Sequence, residues 1–261
     1  MKLIKLLSVI LLTVLFLSQQ IYGENLKWYS YNEGSQIAKK EGKILLVDFY
    51  TDWCVWCKKM DADTYTNAKV AENLSKYFVL VKLNPEKDGA VTYQGQSYAA
   101  ADFSKSAGVS GYPSLGFFTP NIEFITLVPG YMDASKFLKV LDYFIAKKYT
   151  SVNFRDYQAF TTLKEMSDKD PSNDELNFAV GYFYQSVMGD NKNAEIYYKK
   201  AVAKNPKFAE AYGGLAMIAE AKNDKASASS YTNEAKKNGG FQDADKMKNK
   251  VIEILRKYFK R

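Results

Sequence analysis

The stretch LLVDFYTDWCVWCKKMDADTY, Leu45 to Tyr65, joins an apolar run of strand-forming residues to a helix-forming run. At the joint lie Cys54 and Cys57, the only two cysteines in 261 residues. A β-branched and aromatic run bounded by turn residues reads as a strand ending at Phe49 or Tyr50, and the spacing beyond TDW predicts a helix from about Val55. Cys54 then sits at a helix N-terminus, where unpaired N–H groups and the helix dipole favour an anion, so its thiol ionises more readily than a free one. Cys57 lies one turn further along the same face, near enough to close a disulfide and deeper in the helix. Asp48 is flanked on both sides by apolar residues, where a charge is costly unless paired.

Two thiols at this spacing have three uses. A structural disulfide stabilises mainly by closing a long loop of the unfolded chain, and a three-residue spacing closes almost nothing. Zinc takes four ligands, and because the chain has no histidine, carboxylates or a second chain would have to complete the site. Redox chemistry is the remaining reading. The absence of histidine also removes the usual general base, so chemistry here runs on thiols, carboxylates, amines or backbone. No metal is expected.

The first residues, MKLIKLLSVILLTVLFLSQQIYG, combine a charged start at Lys2 and Lys5, an apolar or hydroxyl run from Leu6 to Leu17, and a small residue at Gly23. They read as a removed secretory signal over residues 1–23, too short in its apolar run for the roughly 20 residues of a spanning helix. The expected location is periplasmic or secreted, peripheral to a membrane at most. Removing this leader takes two lysines and no acid, so the formal charge falls from +7 to +5. The lysines are scattered among acids, not gathered with aromatics, and nucleic acid is not an expected partner.

The ~240 residues that remain suit two domains of ordinary size. Across residues 24–149, short β-branched and aromatic runs such as KILLVDFY, FVLVKLN, SLGFFT and EFITLV alternate with helical patterns, which predicts an α/β domain with a central sheet. Over residues 150–261 the chain turns Ala-, Lys- and Tyr-rich with helical spacing. At a spacing of 34, Phe178 pairs with Tyr212, Ala194 with Ala228, Tyr197 with Tyr231 and Ala201 with Ala235. That is the period of the tetratricopeptide repeat, a stack of antiparallel helix pairs. Gly181 falls one residue early for that pattern, and the turn MGDNKN after it is correspondingly long. Ala159, Leu163, Met166 and Pro171 read as the second helix of a degenerate earlier repeat, and Asp243 to Tyr258 as a capping helix. The tyrosines Tyr182, Tyr184, Tyr197, Tyr198 and Tyr212 are expected to serve mostly in packing between helices.

Three segments in register, YTDWCVWCKKM, VSGYPSLGFF and VPGYMDASKFLKVL, resemble the thioredoxin superfamily, and within it the C-terminal periplasmic domain of the DsbD family of thiol:disulfide interchange proteins. The resemblance runs from about Trp28 to Lys147. It implies an α/β thioredoxin fold, a central mixed sheet flanked by helices, ahead of the all-α repeat domain. By the same resemblance Asp48 matches the buried acid that accepts a proton from the resolving thiol, and Lys82 matches the lysine paired with it. Tyr112-Pro113 matches a cis-proline loop that faces the cysteines and receives an extended substrate, and Trp53 and Trp56 flank that binding position. Two departures stand out: Val55-Trp56 replaces the Gly-Pro of typical thioredoxins, and Asp88 to Val109 enlarges one connection, whose Tyr93 and Tyr98 are candidates to line a groove.

The expected chemistry is thiol–disulfide exchange in the reducing direction, with Cys54 attacking and Cys57 resolving. No cofactor is expected beyond the redox-active Cys54–Cys57 disulfide itself. Expected partners are proteins with disulfides, a membrane electron donor, and a peptide or protein ligand of the repeats. The alternatives are a repeat-based binding or scaffold protein that carries an accessory thioredoxin fold, and a disulfide oxidase or isomerase.

Overall fold

Runs of β-branched and aromatic residues become strands where sheet pairing and cover bury them, most fully here in Ile44–Phe49 and Ser114–Phe118. The computed structural model describes residues 26–239 and 243–259; the leader expected over residues 1–23 lies outside them. The chain divides into two compact units, Met1–Lys147 and Lys148–Arg261. Among the described residues no helix is long and apolar enough to cross a membrane.

The first unit carries a five-stranded sheet in the order β1 (Trp28–Tyr29), β3 (Phe78–Leu83), β2 (Ile44–Phe49), β6 (Ser114–Phe118), β7 (Phe124–Pro129). β1, β3 and β2 run parallel, and β6 and β7 are antiparallel to their neighbours. All six residues of β2 are buried, as a central strand covered on both faces requires. The helices α1 (Tyr31–Glu41), α2 (Val55–Asp63), α3 (Ala68–Tyr77), α4 (Ala100–Ser106) and α5 (Ala134–Ile145) flank the sheet. Ser30, Asn67 and Asp133 cap α1, α3 and α5 by accepting backbone N–H groups of the first turn, and Gly42 ends α1 in the left-handed conformation that glycine adopts without penalty.

The enlarged connection folds as a hairpin, β4 (Val91–Tyr93) and β5 (Gln96–Tyr98), followed by α4. Asn32 of α1 fastens it, donating to Ala90 O at 2.9 Å and accepting from Thr92 N at 2.7 Å. Tyr93 packs against Phe103 and Phe118, and Tyr98 is half-buried against the same core. These tyrosines therefore pack one side of their rings on this core.

The second unit is helical: α6 (Phe154–Lys169), α7 (Asp174–Tyr182), α8 (Asn191–Lys204), α9 (Ala209–Ala221), α10 (Lys225–Lys237) and α11 (Ala244–Tyr258). α7 with α8 and α9 with α10 form two successive antiparallel helix pairs in close contact. Their starts, Asp174 and Ala209, Asn191 and Lys225, follow the sequence period. The residue by which Gly181 falls early is absorbed by a π-helical turn over Phe183–Val187, which accommodates one extra residue without breaking the helix. Tyr198 explains why both glycines are there. Its ring is fully buried; a Cβ on Gly181 would lie 2.7 Å from it and one on Gly214 only 2.4 Å. The hydroxyl is satisfied by Gln185 Oε1 in the π turn, at 2.8 Å.

The last helix departs from the expected end cap. α11 packs against both α7 and α9, burying Met247, Val251 and Ile254 in the core they share with Leu176, Phe178 and Leu215. Two polar contacts hold its end, Asn173 Nδ2 to Tyr258 Oη at 3.0 Å and Lys257 to Glu175 at 2.6 Å. The physical reason lies in α7, where Leu176 to Gly181 are buried without a break. A helix apolar on every side demands cover on every side, and the apolar stripe of α11 supplies it.

Because the Tyr198 ring fills the space of two absent side chains, Gly214→Ala should destabilise the second unit by about 1–3 kcal/mol. Tyr198→Leu should relieve most of that added cost, so denaturant unfolding of the two single variants and the double should give a non-additive cycle. Strict additivity would show that Gly214 and Tyr198 do not share this space.

Candidate active site

Strand alternation sets the floor of the site. Leu45, Val47 and Phe49 enter the core with Tyr31 and Phe103, so Leu46 and Asp48 point to the opposite face of the sheet. The parallel register places Asp48 directly beside Lys82 of β3. Lys82 Nζ donates to Asp48 Oδ2 at 2.6 Å and, also at 2.6 Å, to Asp61 Oδ1 on α2. The rings of Trp28, Tyr50 and Tyr65 surround the ammonium at 4.9–5.4 Å, a favourable arrangement for a cation partly withdrawn from water. Tyr65, just beyond α2, donates its hydroxyl to the same Asp48 Oδ2 at 3.1 Å. Asp48 Oδ1 is buried without a partner.

Burial pushes the Asp48 carboxyl up, and the Lys82 ammonium and the Tyr65 hydroxyl offset that only in part. Burial draws the Lys82 ammonium down, but Asp48 and Asp61 outweigh it and leave its pKa raised. Lys82 is thus a positive charge set beside a carboxyl whose pKa burial raises.

Above this floor Cys54 is the N-cap residue of α2, and the Cys57 N–H donates to Cys54 Sγ at 3.0 Å. The two sulfurs are joined as a disulfide. Cys54 is 4 % exposed and Cys57 2 %, so the pair meets solvent only at its outer edge. Lys59 pairs with Asp63 at 2.5 Å on the exposed side of α2, where salt and water leave such a pair little weight.

Aromatic side chains wall the rim. Trp53, 64 % exposed, packs edge-on against Tyr112 at 5.9 Å, and its Nε1 donates to Glu86 at 3.1 Å. Trp56, 54 % exposed, packs on Tyr131 at 5.3 Å. The Tyr112–Pro113 peptide is cis, and Pro113 O accepts from Gly130 N at 2.8 Å, tying this loop to the end of β7. The structure therefore brings Asp48 and Lys82 together in one buried cluster, and Trp53 and Tyr112 together at the rim beside Cys54. Trp56 stands on the Tyr131 side.

Asp61, Tyr65, Glu86 and Tyr131 were not among the residues singled out from the sequence. Asp61 had a local signal, since it lies four residues after Cys57 on one helix face. Tyr131 directly follows the glycine of VPGYMD. Tyr65 and Glu86 had none, because their contacts cross to other elements.

An acid whose folded pKa is raised holds its proton longer in the folded than in the unfolded chain, so its contribution to stability falls as pH rises from the ordinary carboxylate value through the raised one. Asp48→Asn removes that loss. The oxidised variant should be more stable than the parent by about 1–2 kcal/mol at neutral pH, with the difference shrinking in acid. Denaturant unfolding across pH checks this, and a pH-independent difference would contradict it.

The thioredoxin-like domain family model matches residues 31–145. Among curated proteins, the thiol:disulfide interchange protein DsbD of Tatumella citrea is 34% identical over 108 residues, 40% of this chain and 17% of that protein. DsbD of Yersinia pestis (strain Pestoides F) is 33% identical over 107 residues, 40% of this chain and 16% of that protein. The chain thus spans about one-sixth of the length of these relatives. Among solved structures, a thioredoxin from Thermus thermophilus is 22% identical with a TM-score of 0.40, covering 48% of this chain and 90% of that one. The five-stranded mixed sheet of the first unit and the C-x-x-C pair at the N-terminus of α2 make a thioredoxin fold, and residues 31–145 form a thioredoxin-like domain.

Proposed function

We propose that this chain is a thiol:disulfide oxidoreductase that reduces disulfides in other proteins of an exported compartment. The observation that carries this reading is the placement of the Cys54–Cys57 pair at a helix N-terminus, on the helix whose Asp61 shares Lys82 with the buried Asp48. A disulfide closing so short a loop contributes little to stability, and a buried acid costs stability. Neither feature has a structural use that matches its cost, while both serve exchange chemistry.

In the forward cycle the Cys54 thiolate attacks a substrate disulfide, and one substrate sulfur leaves as a thiolate. A mixed disulfide now joins Cys54 to the other substrate sulfur. Cys57 passes its proton to Asp48, and its thiolate attacks Cys54 Sγ; the mixed disulfide breaks, Cys54–Cys57 forms, and the second substrate sulfur departs. Two electrons have moved to the substrate, and a partner dithiol must return them. A membrane electron donor fits that requirement, and the names of the curated relatives support interchange chemistry. The Trp53, Tyr112 and Trp56 rim and the Pro113 loop are the surface on which an extended substrate would lie. Reduction is the favoured direction because no histidine stands between the cysteines to stabilise the thiolate.

The helical unit is proposed as the partner-selecting module. Since α11 covers α7 and α9, a partner would meet the remaining faces, among them α8, where Ile196 is 45 % exposed.

Cys54→Ala should abolish reduction of insulin-type disulfides and leave the fold unchanged, since no long loop is opened. Cys57→Ser should still attack but fail to resolve, so reductant-sensitive adducts accumulate through Cys54. Acid quenching and mass spectrometry of the Cys57→Ser protein read this out. Full activity in Cys54→Ala would end the proposal.

A further inference from the structure

Asp48 has two oxygens with different surroundings. Oδ2 accepts from both Lys82 Nζ and the Tyr65 hydroxyl, whereas Oδ1 is buried with no partner. We propose that Tyr65 is a positioning residue for proton transfer from Cys57: with Lys82 it pins Oδ2 and leaves Oδ1 as the oxygen that receives the proton. The inference rests on reading Asp48 as the acceptor.

The physical argument is one of competition for lone pairs. Protonating Oδ2 would displace a donor that is already bound, one of them charged, and hydrogen bonds to charged groups are the stronger kind. Protonating Oδ1 displaces nothing. The donors also draw negative charge toward Oδ2 and fix the plane of the carboxylate, so the acid cannot rotate to present the wrong oxygen. Cys57 and Asp61 lie four residues apart on one face of α2, and Asp61 shares the Lys82 ammonium with Asp48. The carboxylate is therefore held beneath the face of the helix that carries Cys57.

The hydroxyl of Tyr65 is not needed for packing. Its ring lies 5.1 Å from Trp28 and 5.9 Å from Phe137, contacts a phenylalanine would keep. Burial, followed by the charge of Asp48, pushes the phenol far up, so it remains a donor wherever Asp48 titrates. The charged and titratable groups around Asp48 are Lys82 from β3, Asp61 and Cys57 from α2, Tyr65 just after α2, and Tyr50 at the end of β2, whose own hydroxyl is raised by burial first and by Asp88, Asp52 and Asp48 after it. On the β6 side the register partner is the apolar Leu115. Of the two donors to Asp48 Oδ2, Tyr65 is the neutral one, and its removal changes the acid without changing the charge.

The test is the resolution step in the full-length reduced protein mixed with dithiobis(nitrobenzoate), in which the second release of thionitrobenzoate follows the attack of Cys57 on the Cys54 adduct. In the parent, this rate should climb with pH to a plateau. Tyr65→Phe should move the midpoint up by about one pH unit, so that resolution is about tenfold slower on the acid side and nearly unchanged on the plateau. Tyr65→Leu should show the same displacement together with lower stability, which separates the hydroxyl from the ring. Asp48→Asn reports on the underlying reading, since it should remove this limb altogether. If Asp48→Asn flattens the profile while Tyr65→Phe overlays the parent, or lowers the rate evenly at every pH, the role of Tyr65 is overturned and the acceptor stands. An unchanged profile in Asp48→Asn removes both.

Discussion

The ion pair between Asp48 and Lys82 is the constraint around which the first unit is organised. Two neighbouring strands place these residues side by side on the face beneath α2, in a position that hydrophobic residues would fill at lower cost. A buried pair seldom adds net stability, because desolvation cancels much of the attraction, yet losing one partner leaves a charge stranded. Here the pair is also a tether. Lys82 reaches Asp61 as well, so the ammonium that compensates the buried acid also fixes α2 over the sheet, and α2 carries both cysteines. Strand register and helix docking thus meet at a single lysine.

The rings of Trp28, Tyr50 and Tyr65 complete that arrangement. They shield much of the ammonium from water, leaving the lysine side chain 20 % exposed, and they come from three separate segments of chain. A carboxylate in such surroundings stays partly unsatisfied, as its orphan Oδ1 shows. Protein interiors rarely leave a buried acceptor unpaired, which sets Asp48 Oδ1 apart from the other buried oxygens of the sheet.

The parts of this site that were legible in the sequence are those whose signal is local. The strand-to-helix joint at Cys54 is written in neighbouring residues, and so is the apolar flanking of Asp48. Lys82 and Pro113 were reached through resemblance, because nothing in LVKLN or GYPSL by itself says what either faces. Tyr65 and Glu86 were invisible for a physical reason: a tyrosine after a helix and a glutamate after a strand are ordinary surface choices until the fold brings them to Asp48 and Trp53. Tyr93 and Tyr98 show the same limit: their place in an enlarged connection suggests a rim, but an aromatic side chain on a short hairpin gains by packing, and Tyr93 lies against Phe103 and Phe118.

The helical unit shows how a periodic pattern bends to one large side chain. Tyr198 occupies space that ordinary repeats fill with smaller residues from the helices on either side, and the sequence compensates with glycines at 181 and 214. Glycine lowers helix stability by about 1 kcal/mol relative to alanine, a cost offset by burying a tyrosine ring whose hydroxyl still finds Gln185. The extra residue that brings Gln185 within reach is the one that makes the π turn. A stack of two helix pairs alone would leave the apolar face shared by α7 and α9 bare, and α11 covers it. Stacks of this kind ordinarily need about three repeats to bury a continuous core; here α6 on one side and α11 on the other contribute to the same cluster. The apolar face that α7 and α9 share is therefore spent on the fold, covered by Met247, Val251 and Ile254 of α11.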